Sequence, residues 1–258
     1  MKALLLVAGM GTRLGGYTRN HPKSLLLILG RPILFHIVDR IILNGIKDFV
    51  VVVGFQKEKI ITALKTEYPA ISFTFVENTV YNTTNTMYSM WLSRLAIAHE
   101  GFVYFHGDVI FNKNILKKLL NPQYVNGAVV EPHQECMEVF GFNGAITRIS
   151  KKKDSIGKAL GVYKFSPEAA ARVFEEAGRL IHAGKTNVFQ SEAINPTIVL
   201  HKMDMVTTDD LGWVEVDDES DLFEGEAILR RILEEESMMK QNSPMVKEEL
   251  SLVKEELP

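Results

Sequence analysis

The chain of 258 residues contains a single cysteine, Cys136, which excludes an internal disulfide and any zinc cluster built from several cysteines. No activating partner is evident in the sequence around Cys136, so we interpret it as a small packing residue. The chain also has no excess of positive charge: it contains 29 Lys and Arg residues and 32 Asp and Glu residues, which gives a net charge of −3. This balance argues against nucleic acid and anionic membranes as partners, so any cationic site must be local.

Long hydrophobic runs are absent as well. The run ALLLVAG, which begins at residue 3, is too short to span a membrane and lacks the small-residue cleavage site of a secretory signal. We therefore expect a cytoplasmic protein without membrane insertion. With 46% hydrophobic residues, the chain has enough apolar material for a sizeable core, in one large domain or two small ones.

The order of apolar segments predicts the fold class. ALLLVAG and FVVVVGF (49–55) are continuous apolar runs that end in glycine, which is typical of strands buried on both faces of a parallel sheet. A helical pattern with Pro32 in its first turn lies between them, and the alternation of strand and helix, which includes a helix around 86–98, continues to about residue 120. This order predicts an α/β fold with a doubly wound, mostly parallel, Rossmann-like sheet.

The pattern changes after this alternating region. In 127–165, Asn143-Gly144 stands between two alternating runs and predicts a β-hairpin, so we interpret this segment as a sheet extension and flap beside the binding edge of the sheet. No linker separates it, which favours a single domain over 1–235. Residues 236–258 form an acidic tail with helical character, and its short seven-residue repeat indicates either a frayed amphipathic helix or a subunit contact.

The stretch AGMGTRLGG lacks two features of well-known nucleotide loops. Leu14 stands where the dinucleotide-binding pattern needs its third glycine, and no Gly-Lys-Ser/Thr follows for a Walker A loop. What remains is Gly9 and Gly11, whose backbone N–H groups can approach anionic oxygens, with the cationic fork of Arg13 beside them. Lys23 follows ten residues later in an extended segment. Two cations beside a glycine loop suit a triphosphate; the alternative is a tight turn with two solvated charges.

Taken together, LLVAGMGTRL…T…PKSLLLILGRPIL resembles the signature of the nucleoside-triphosphate transferase (sugar nucleotidyltransferase-like) family. The resemblance implies that the glycine loop and the arginine hold the β- and γ-phosphates, while the lysine neutralises the reacting phosphates. It therefore implies Lys23 and Arg13 as catalytic residues. It also implies nucleotide binding by the loop residues, which are Ala8, Gly9, Gly11, Thr12 and Arg13.

The same resemblance implies two aspartates on Mg²⁺. Asp108 ends the strand FVYFHGDV, and Asp217 lies in GWVEVDDESDL, which resembles the second metal motif of the family. Mg²⁺ takes few carboxylates together with phosphate oxygens and water, so two aspartates suffice. Asp218 is the local competitor, but a cap at the helix start is the better interpretation for Asp218 and Asp221.

The segment ENTVYNTTNTMYSMWLSR resembles the cytidylyltransferases that act on phosphocholine and related small phospho-alcohols or phosphonates. There the loop and helix start receive the base and ribose, which makes Asn85 and Ser89 candidates, with Gln56 as a further residue facing the base. Both Asn and Ser are also ordinary helix caps. Asp108 is also counted among the nucleotide-binding residues, because it is expected to hold the metal.

For the acceptor, the candidate residues are Phe140, Phe189, Glu192 and Lys152. The segments ECMEVFGFNG and TNVFQSEAINP, which contain the two phenylalanines and Glu192, have no tryptophan. A quaternary ammonium is usually held by an aromatic cage with a carboxylate nearby. The acceptor class therefore stays open among amino-alcohol phosphates, aminoethylphosphonate, phosphorylated amides and sugar phosphates. The run SKKKD that contains Lys152 is equally consistent with a solvated charged surface.

The resemblance implies a Mg²⁺-dependent enzyme that transfers CMP from CTP to a small phosphorylated or phosphonate acceptor and releases pyrophosphate. CTP and the acceptor are then its partners, and a homo-oligomer is compatible with the sequence. Three alternatives remain: a sugar-1-phosphate nucleotidyltransferase that uses UTP or dTTP, a Rossmann dehydrogenase, and a catalytically silent nucleotide-binding module.

Overall fold

The computed structural model describes residues 1–132, 138–150 and 156–241; Cys136, Lys152 and the end of the acidic tail lie outside the described residues. The strands are β1 Lys2–Val7, β2 Leu27–Ile28, β3 Arg31–Pro32, β4 Asp48–Val53, β5 Ser72–Glu77, β6 Phe102–His106, β7 Val109–Phe111, β8 Gly127–Pro132, β9 Glu138–Phe142, β10 Ala145–Ser150, β11 Gly157–Phe165, β12 Met203–Thr207 and β13 Trp213–Glu215. The helices are α1 Ile33–Leu43, α2 Lys57–Glu67, α3 Thr86–Leu92, α4 Arg94–Ile97, α5 Lys113–Leu119, α6 Pro167–His182, α7 Ser191–Leu200 and α8 Glu219–Gln241.

One large sheet organises the chain. Its nine strands run in the order β5-β4-β1-β6-β11-β8-β12-β10-β9. The first four are parallel, whereas β11 and β10 run antiparallel to their neighbours. The predicted α/β class with a mostly parallel, mixed sheet is thus confirmed. The carboxyl ends of β1 and β6 lie side by side, and ligands bind at such an edge in open α/β sheets.

The side chains of β1 point alternately to the two faces of the sheet, and this shows why helices cover both faces. Leu5 and Val7 belong to a core with α1, α2, α5 and α8, while Leu4 and Leu6 belong to a second core with α3, α6 and α7. Because successive side chains of a strand point to opposite faces, a continuous apolar run requires an apolar layer on each side. The result is the three-layered, doubly wound arrangement.

The segment 127–165 extends the sheet as four strands, β8 to β11, with the predicted hairpin between β9 and β10. Asn143 has φ 49° and Gly144 has φ 75°. Two successive left-handed residues make the turn that matches the right-handed twist of hairpin strands, which is why Asn-Gly occurs there. The hairpin is confirmed, while the division into one domain and a tail stays a prediction.

Two local expectations differ from the structure. The helix expected over 86–98 is divided at Ser93, whose buried hydroxyl donates to the Met90 carbonyl at 2.6 Å. Such a bond competes with the helical backbone and explains the break. Pro32, expected in the first turn of α1, instead precedes it with extended geometry (ψ 139°).

The helix α8 is anchored far from its start. Arg40 of α1 is almost fully buried, and Glu236 lies 3.7 Å from it while accepting the backbone N–H of Lys113 at 2.8 Å. A buried guanidinium needs such a counter-charge, so the end of α8 is held against α1 and α5. This anchor fixes the helix whose first residues follow Asp217.

Within the described residues, the helices are all too short or too polar to cross a membrane.

Candidate active site

The loop after β1 brings backbone and cations together. Gly11 has φ 63°, and a Cβ added there would lie 2.8 Å from the Cβ of Lys23. Only glycine combines this left-handed backbone with such a close approach. The hydroxyl of Thr18 donates to the Gly11 carbonyl at 2.9 Å and holds the loop in place. The glycine thus allows Lys23 to pack directly against the loop.

Lys23 lies between the two predicted metal ligands. Its Nζ donates to Asp108 Oδ2 at 2.7 Å and to Asp217 Oδ1 at 2.9 Å, although 194 residues separate Lys23 and Asp217 in sequence. Burial alone would lower the pKa of the Lys23 ammonium, but the carboxylates of Asp108 and Asp217 outweigh it and raise this pKa above its usual value. The ammonium therefore stays charged at neutral pH.

Asp217 also binds the second predicted cation. Arg13 donates from both terminal nitrogens to Asp217, at 2.9 Å and 2.7 Å, in the bidentate geometry that guanidinium and carboxylate favour. The Arg13 side chain is 69% exposed, so it can exchange this partner for an anionic ligand. Arg13, Lys23, Asp108 and Asp217 form one cluster, which we call the charged cluster.

Backbone pairing brings the two aspartates together. Asp108 lies between β6 and the short strand β7, which pairs with β13, and the Val216 N–H donates to the Asp108 carbonyl at 3.0 Å. Asp217 follows Val216 directly, so this bond sets the spacing of the two carboxylates. As predicted, Asp218 and Asp221 cap the start of α8. Asp218 Oδ1 accepts from the backbone N–H groups of Ser220 and Asp221, and Asp221 Oδ2 accepts from those of Asp217 and Asp218.

One cluster of side chains contains two carboxylates that are suited to a divalent cation. A nitrogen of His106 and carboxylate oxygens of Asp108 and Glu215 lie within 4.8 Å of one another. Oδ1 of Asp108 is buried without a hydrogen-bond partner among the described residues, although buried carboxylate oxygens normally have one. Carboxylate oxygens are the ligands that hard cations prefer, so Asp108 and Glu215 suit such an ion.

A cleft of about 560 Å³ opens over the charged cluster. It is lined by eight of the predicted site residues, which are Ala8, Gly9, Arg13, Asn85, Ser89, Asp108, Phe189 and Asp217. A neighbouring cleft shares Arg13 and Asp217 with it. The structure thus joins the glycine loop, the start of α3 and both aspartates in one cavity large enough for a small ligand.

The profile of the nucleotidyl transferase family matches residues 2–231. This chain belongs to the nucleotidyl transferase family. A CMP-5'-(3-aminopropyl)phosphonate synthase of Streptomyces rubellomurinus is 34% identical over 119 residues, which are 46% of this chain and 19% of the relative. A 2-aminoethylphosphonate cytidylyltransferase of Lancefieldella rimae is 26% identical over 201 residues, 75% of this chain and 78% of the relative.

Among solved structures, the inositol-1-phosphate CTP transferase from T. maritima has a TM-score of 0.76 and 18% identity, and the match covers 90% of this chain and 95% of that one. At this identity the likeness shows the fold. The chain spans less than half the length of the first curated relatives it matches. The resemblance inferred from the sequence is thus confirmed at the level of the family.

In this nucleotidyl transferase, the two residues predicted to face the base also stabilise the structure. Asn85 caps α3 by accepting from the Thr86 N–H at 2.9 Å, and its amide donates to Asn187 at 3.3 Å. Ser89 is buried and accepts from the amide of Asn78 at 3.0 Å. Both side chains still line the cleft, so capping and ligand contact are compatible. Their role in nucleotide binding stays a prediction.

Other predicted residues lie apart from the cleft lining. Gln56 precedes α2 in a left-handed conformation, Phe140 lies on β9, and Glu192 is exposed in the first turn of α7. Neither Gly11 nor Thr12 lines the cleft, although both belong to the loop beneath it. The sequence placed these residues near one edge but could not tell which side chains reach the cavity.

Two cleft residues that no sequence motif indicated pair with each other. Lys158 of β11 lies 2.8 Å from Glu215 Oε2, and its Nζ is 4.9 Å from the centre of the Trp213 ring. Glu215 precedes Asp217 by two residues, so strand alternation placed both on one face. For Lys158, the only available signal was a charge at the start of the mostly apolar run KALGVYKF.

Acid should remove the stabilisation that Asp217 provides. Burial alone would raise the pKa of Asp217, but Lys23 and Arg13 outweigh it and hold this pKa below its usual value. A carboxyl whose pKa is lower in the folded state stabilises the fold above its unfolded pKa of about 3.9 and loses that effect as the pH falls through the folded value. We expect the free energy of unfolding, from urea titrations, to fall less steeply between about pH 5 and pH 2 in Asp217→Asn than in the wild type. Equal slopes would contradict this.

Proposed function

We propose that this chain is a cytidylyltransferase that depends on Mg²⁺, transfers CMP from CTP to a small phosphorylated or phosphonate acceptor, and releases pyrophosphate. The charged cluster beside the glycine loop carries this proposal, because two cations and two carboxylates meet at the cleft edge where backbone N–H groups are available. This combination suits a triphosphate with its metal better than it suits a dinucleotide. Belonging to the nucleotidyl transferase family supports the same reaction type.

In the reaction, an acceptor oxygen attacks the α-phosphorus of CTP, a new P–O bond forms, and the bond to the pyrophosphate oxygen breaks. The attacking oxygen is already anionic at neutral pH, so this chain needs no strong general base. Lys23 and Arg13 would exchange their aspartate partners for phosphate oxygens and neutralise the charge of the leaving pyrophosphate. Positioning in the cleft would supply the remaining acceleration.

Asp108 would hold the Mg²⁺ with Asp217, and Glu215 is a further carboxylate donor beside it. When bound, such an ion supplies Lewis-acid polarisation of phosphate oxygens. The unpartnered Oδ1 of Asp108 supports this assignment, because the protein leaves a buried carboxylate oxygen available. The ammonium of Lys23 keeps the two aspartates from repelling each other in the free protein.

For the acceptor we propose an aminoalkylphosphonate or a phospho-alcohol. Two relatives carry names for cytidylyl transfer with aminoalkylphosphonates, which supports this class. Lys158 and Glu215 add a cation and an anion to the lining of the cleft, as an acceptor with both charges would require. Lys152 remains a further candidate for the acceptor phosphate.

A screen for pyrophosphate release tests this function. CTP, UTP, dTTP and GTP are each combined with phospho-alcohols, phosphonates, phosphorylated amides and sugar phosphates, with Mg²⁺ and with EDTA. We expect turnover with CTP to exceed that with the other nucleotides at least about tenfold, since base edges are discriminated by hydrogen bonds, and to disappear in EDTA. Preference for UTP or dTTP with a sugar 1-phosphate would support the sugar nucleotidyltransferase instead. Nucleotide binding without turnover would support the silent module.

A further inference from the structure

Gln190 is a fully buried polar residue directly beneath the cleft. It is 0% exposed, and it lies between Phe189, which lines the cleft, and the first residue of α7. A buried amide has two donor hydrogens and an acceptor oxygen that need partners. The partners of Gln190 therefore show what the residue holds together.

The first partner is Thr86, at the start of α3. The Thr86 hydroxyl donates to Gln190 Oε1 at 2.5 Å and accepts the Gln190 backbone N–H at 3.2 Å. Two backbone bonds reinforce this contact: Asn85 N–H donates to the Thr186 carbonyl, and Met87 N–H to the Val188 carbonyl. The loop 186–190, on the acceptor side, is thus joined to the helix start on the nucleotide side.

The second partner is His106, at the end of β6. Gln190 Nε2 lies 3.3 Å from His106 Nε2. Because Oε1 already accepts from Thr86, the amide nitrogen faces the ring and donates to it. His106 Nε2 must then be the acceptor, and the proton of the neutral imidazole lies on Nδ1.

Two further contacts fix the same ring. Gly161 has φ 71°, and a Cβ added there would lie 2.4 Å from His106 Nδ1, so the imidazole packs where only glycine leaves room. Tyr104 meets the ring edge to face, with centroids 5.4 Å apart. His106 lines the cleft two residues before Asp108. Gln190, Gly161 and Tyr104 therefore hold one cleft imidazole from three different elements.

We propose that Gln190 is a positioning residue: it fixes the His106 ring beside Asp108 and joins the acceptor-side loop to the start of α3. This inference rests on the proposed function, since it assumes that nucleotide and acceptor meet in this cleft. Gln190 itself does not line the cleft and acts through His106 and Thr86. Its effect on turnover is geometric, because small displacements of reacting groups lower rates strongly.

The wild-type protein provides the first test. A two-bond ¹H–¹⁵N correlation spectrum of the metal-free protein near pH 8, assigned with the His106→Ala variant, reports which nitrogen of His106 carries the proton. The proposal expects the proton on Nδ1. A proton on Nε2 would mean that the Gln190 amide does not donate to the ring, and it would overturn the proposal. This measurement needs no Gln190 variant that folds and no known substrate.

Substitutions provide the second test. Gln190→Met keeps the shape of the side chain and removes its side-chain hydrogen bonds, so kcat/KM should fall about 10–100-fold. Thr197→Val is the matched control, because Thr197 is buried on α7 and its hydroxyl donates to the Ala193 carbonyl at 3.0 Å, outside the cleft. The control loses a buried hydrogen bond of the same helix and should keep kcat/KM within about twofold of the wild type, as expected of a site independent of the cleft.

A double-mutant cycle decides whether Gln190 acts through His106. If it does, Gln190→Met lowers kcat/KM by a smaller factor in the His106→Ala variant, where only the Thr86 contact is left to lose, than in the wild type, whereas independent effects multiply. Independent effects, or wild-type kcat/KM in Gln190→Met, would overturn the proposal. Failure of the proposed function has a different signature: the wild type then releases no pyrophosphate with any nucleotide and acceptor, while the His106 spectrum still tests the Gln190 contact.

Discussion

Replacing Lys23 with alanine is expected to lower kcat about 10²–10³-fold, the usual loss when one preorganised electrostatic group is removed from an active site. The ammonium of Lys23 is the only group among the described residues that donates to both Asp108 and Asp217. Without it, two carboxylates face each other and the phosphates lose a cation that stays charged at neutral pH. Steady-state pyrophosphate release with the best substrate pair from the screen measures the effect.

The lysine variant needs a matched control and a check of folding. Lys57→Ala removes another ion-paired lysine, whose Nζ lies 2.6 Å from Glu77 outside the cleft. Surface pairs contribute about 0–1 kcal/mol, so this control should keep near-normal kcat. Far-ultraviolet circular dichroism should show wild-type secondary structure in both variants. Near-normal turnover in a folded Lys23→Ala protein would show that the site is assigned wrongly.

Asp108→Asn is expected to lower kcat by a similar factor, about 10²–10³-fold, and to weaken metal binding. The amide keeps the shape of the side chain but removes the negative charge that a divalent cation needs. Calorimetric titration with Mn²⁺ or Mg²⁺ measures the loss of metal affinity independently of turnover. The variant should fold, because Lys23 keeps Asp217 as a partner.

Asp209→Asn is the matched control for the aspartate. Asp209 is exposed, pairs with Lys118 and lies outside both clefts, and asparagine tolerates its left-handed backbone (φ 52°). We expect unchanged metal affinity and turnover in this control. If Asp108→Asn binds metal as tightly as the wild type does, Asp108 is not a metal ligand, whatever its effect on turnover.

Much of the site could be predicted because its residues lie at strand ends or in compact motifs. Asp108 follows an apolar strand that must be buried, and Gly9 to Arg13 follow another, so both sets were expected at one edge of the sheet. The structure brings Lys23, Asp108 and Asp217 within hydrogen-bond distance. The resemblance to a family supplied Asp217, which no local pattern connects with the glycine loop.

Other parts of the site had no local signal. Gln190 reads as an ordinary polar residue in TNVFQSEAINP, and its partners Thr86 and His106 are 104 and 84 residues away. The pair of Lys158 and Glu215 likewise joins β11 to β13. Such contacts depend on which strands become neighbours and on which face each side chain points, and both depend on the packing of the whole sheet.

By itself, the amino-acid sequence determined the succession of strands and helices, the Asn143-Gly144 hairpin and the loop of Gly9, Gly11 and Arg13. Each depends on short-range chemistry: apolar periodicity, left-handed turn residues and backbone N–H groups left accessible by glycine. Only the tertiary structure decided that Lys23 lies between Asp108 and Asp217 and that Gln190 holds His106. The reason is that a buried charge or amide needs partners, and in this fold those partners come from strands and loops that are distant in sequence.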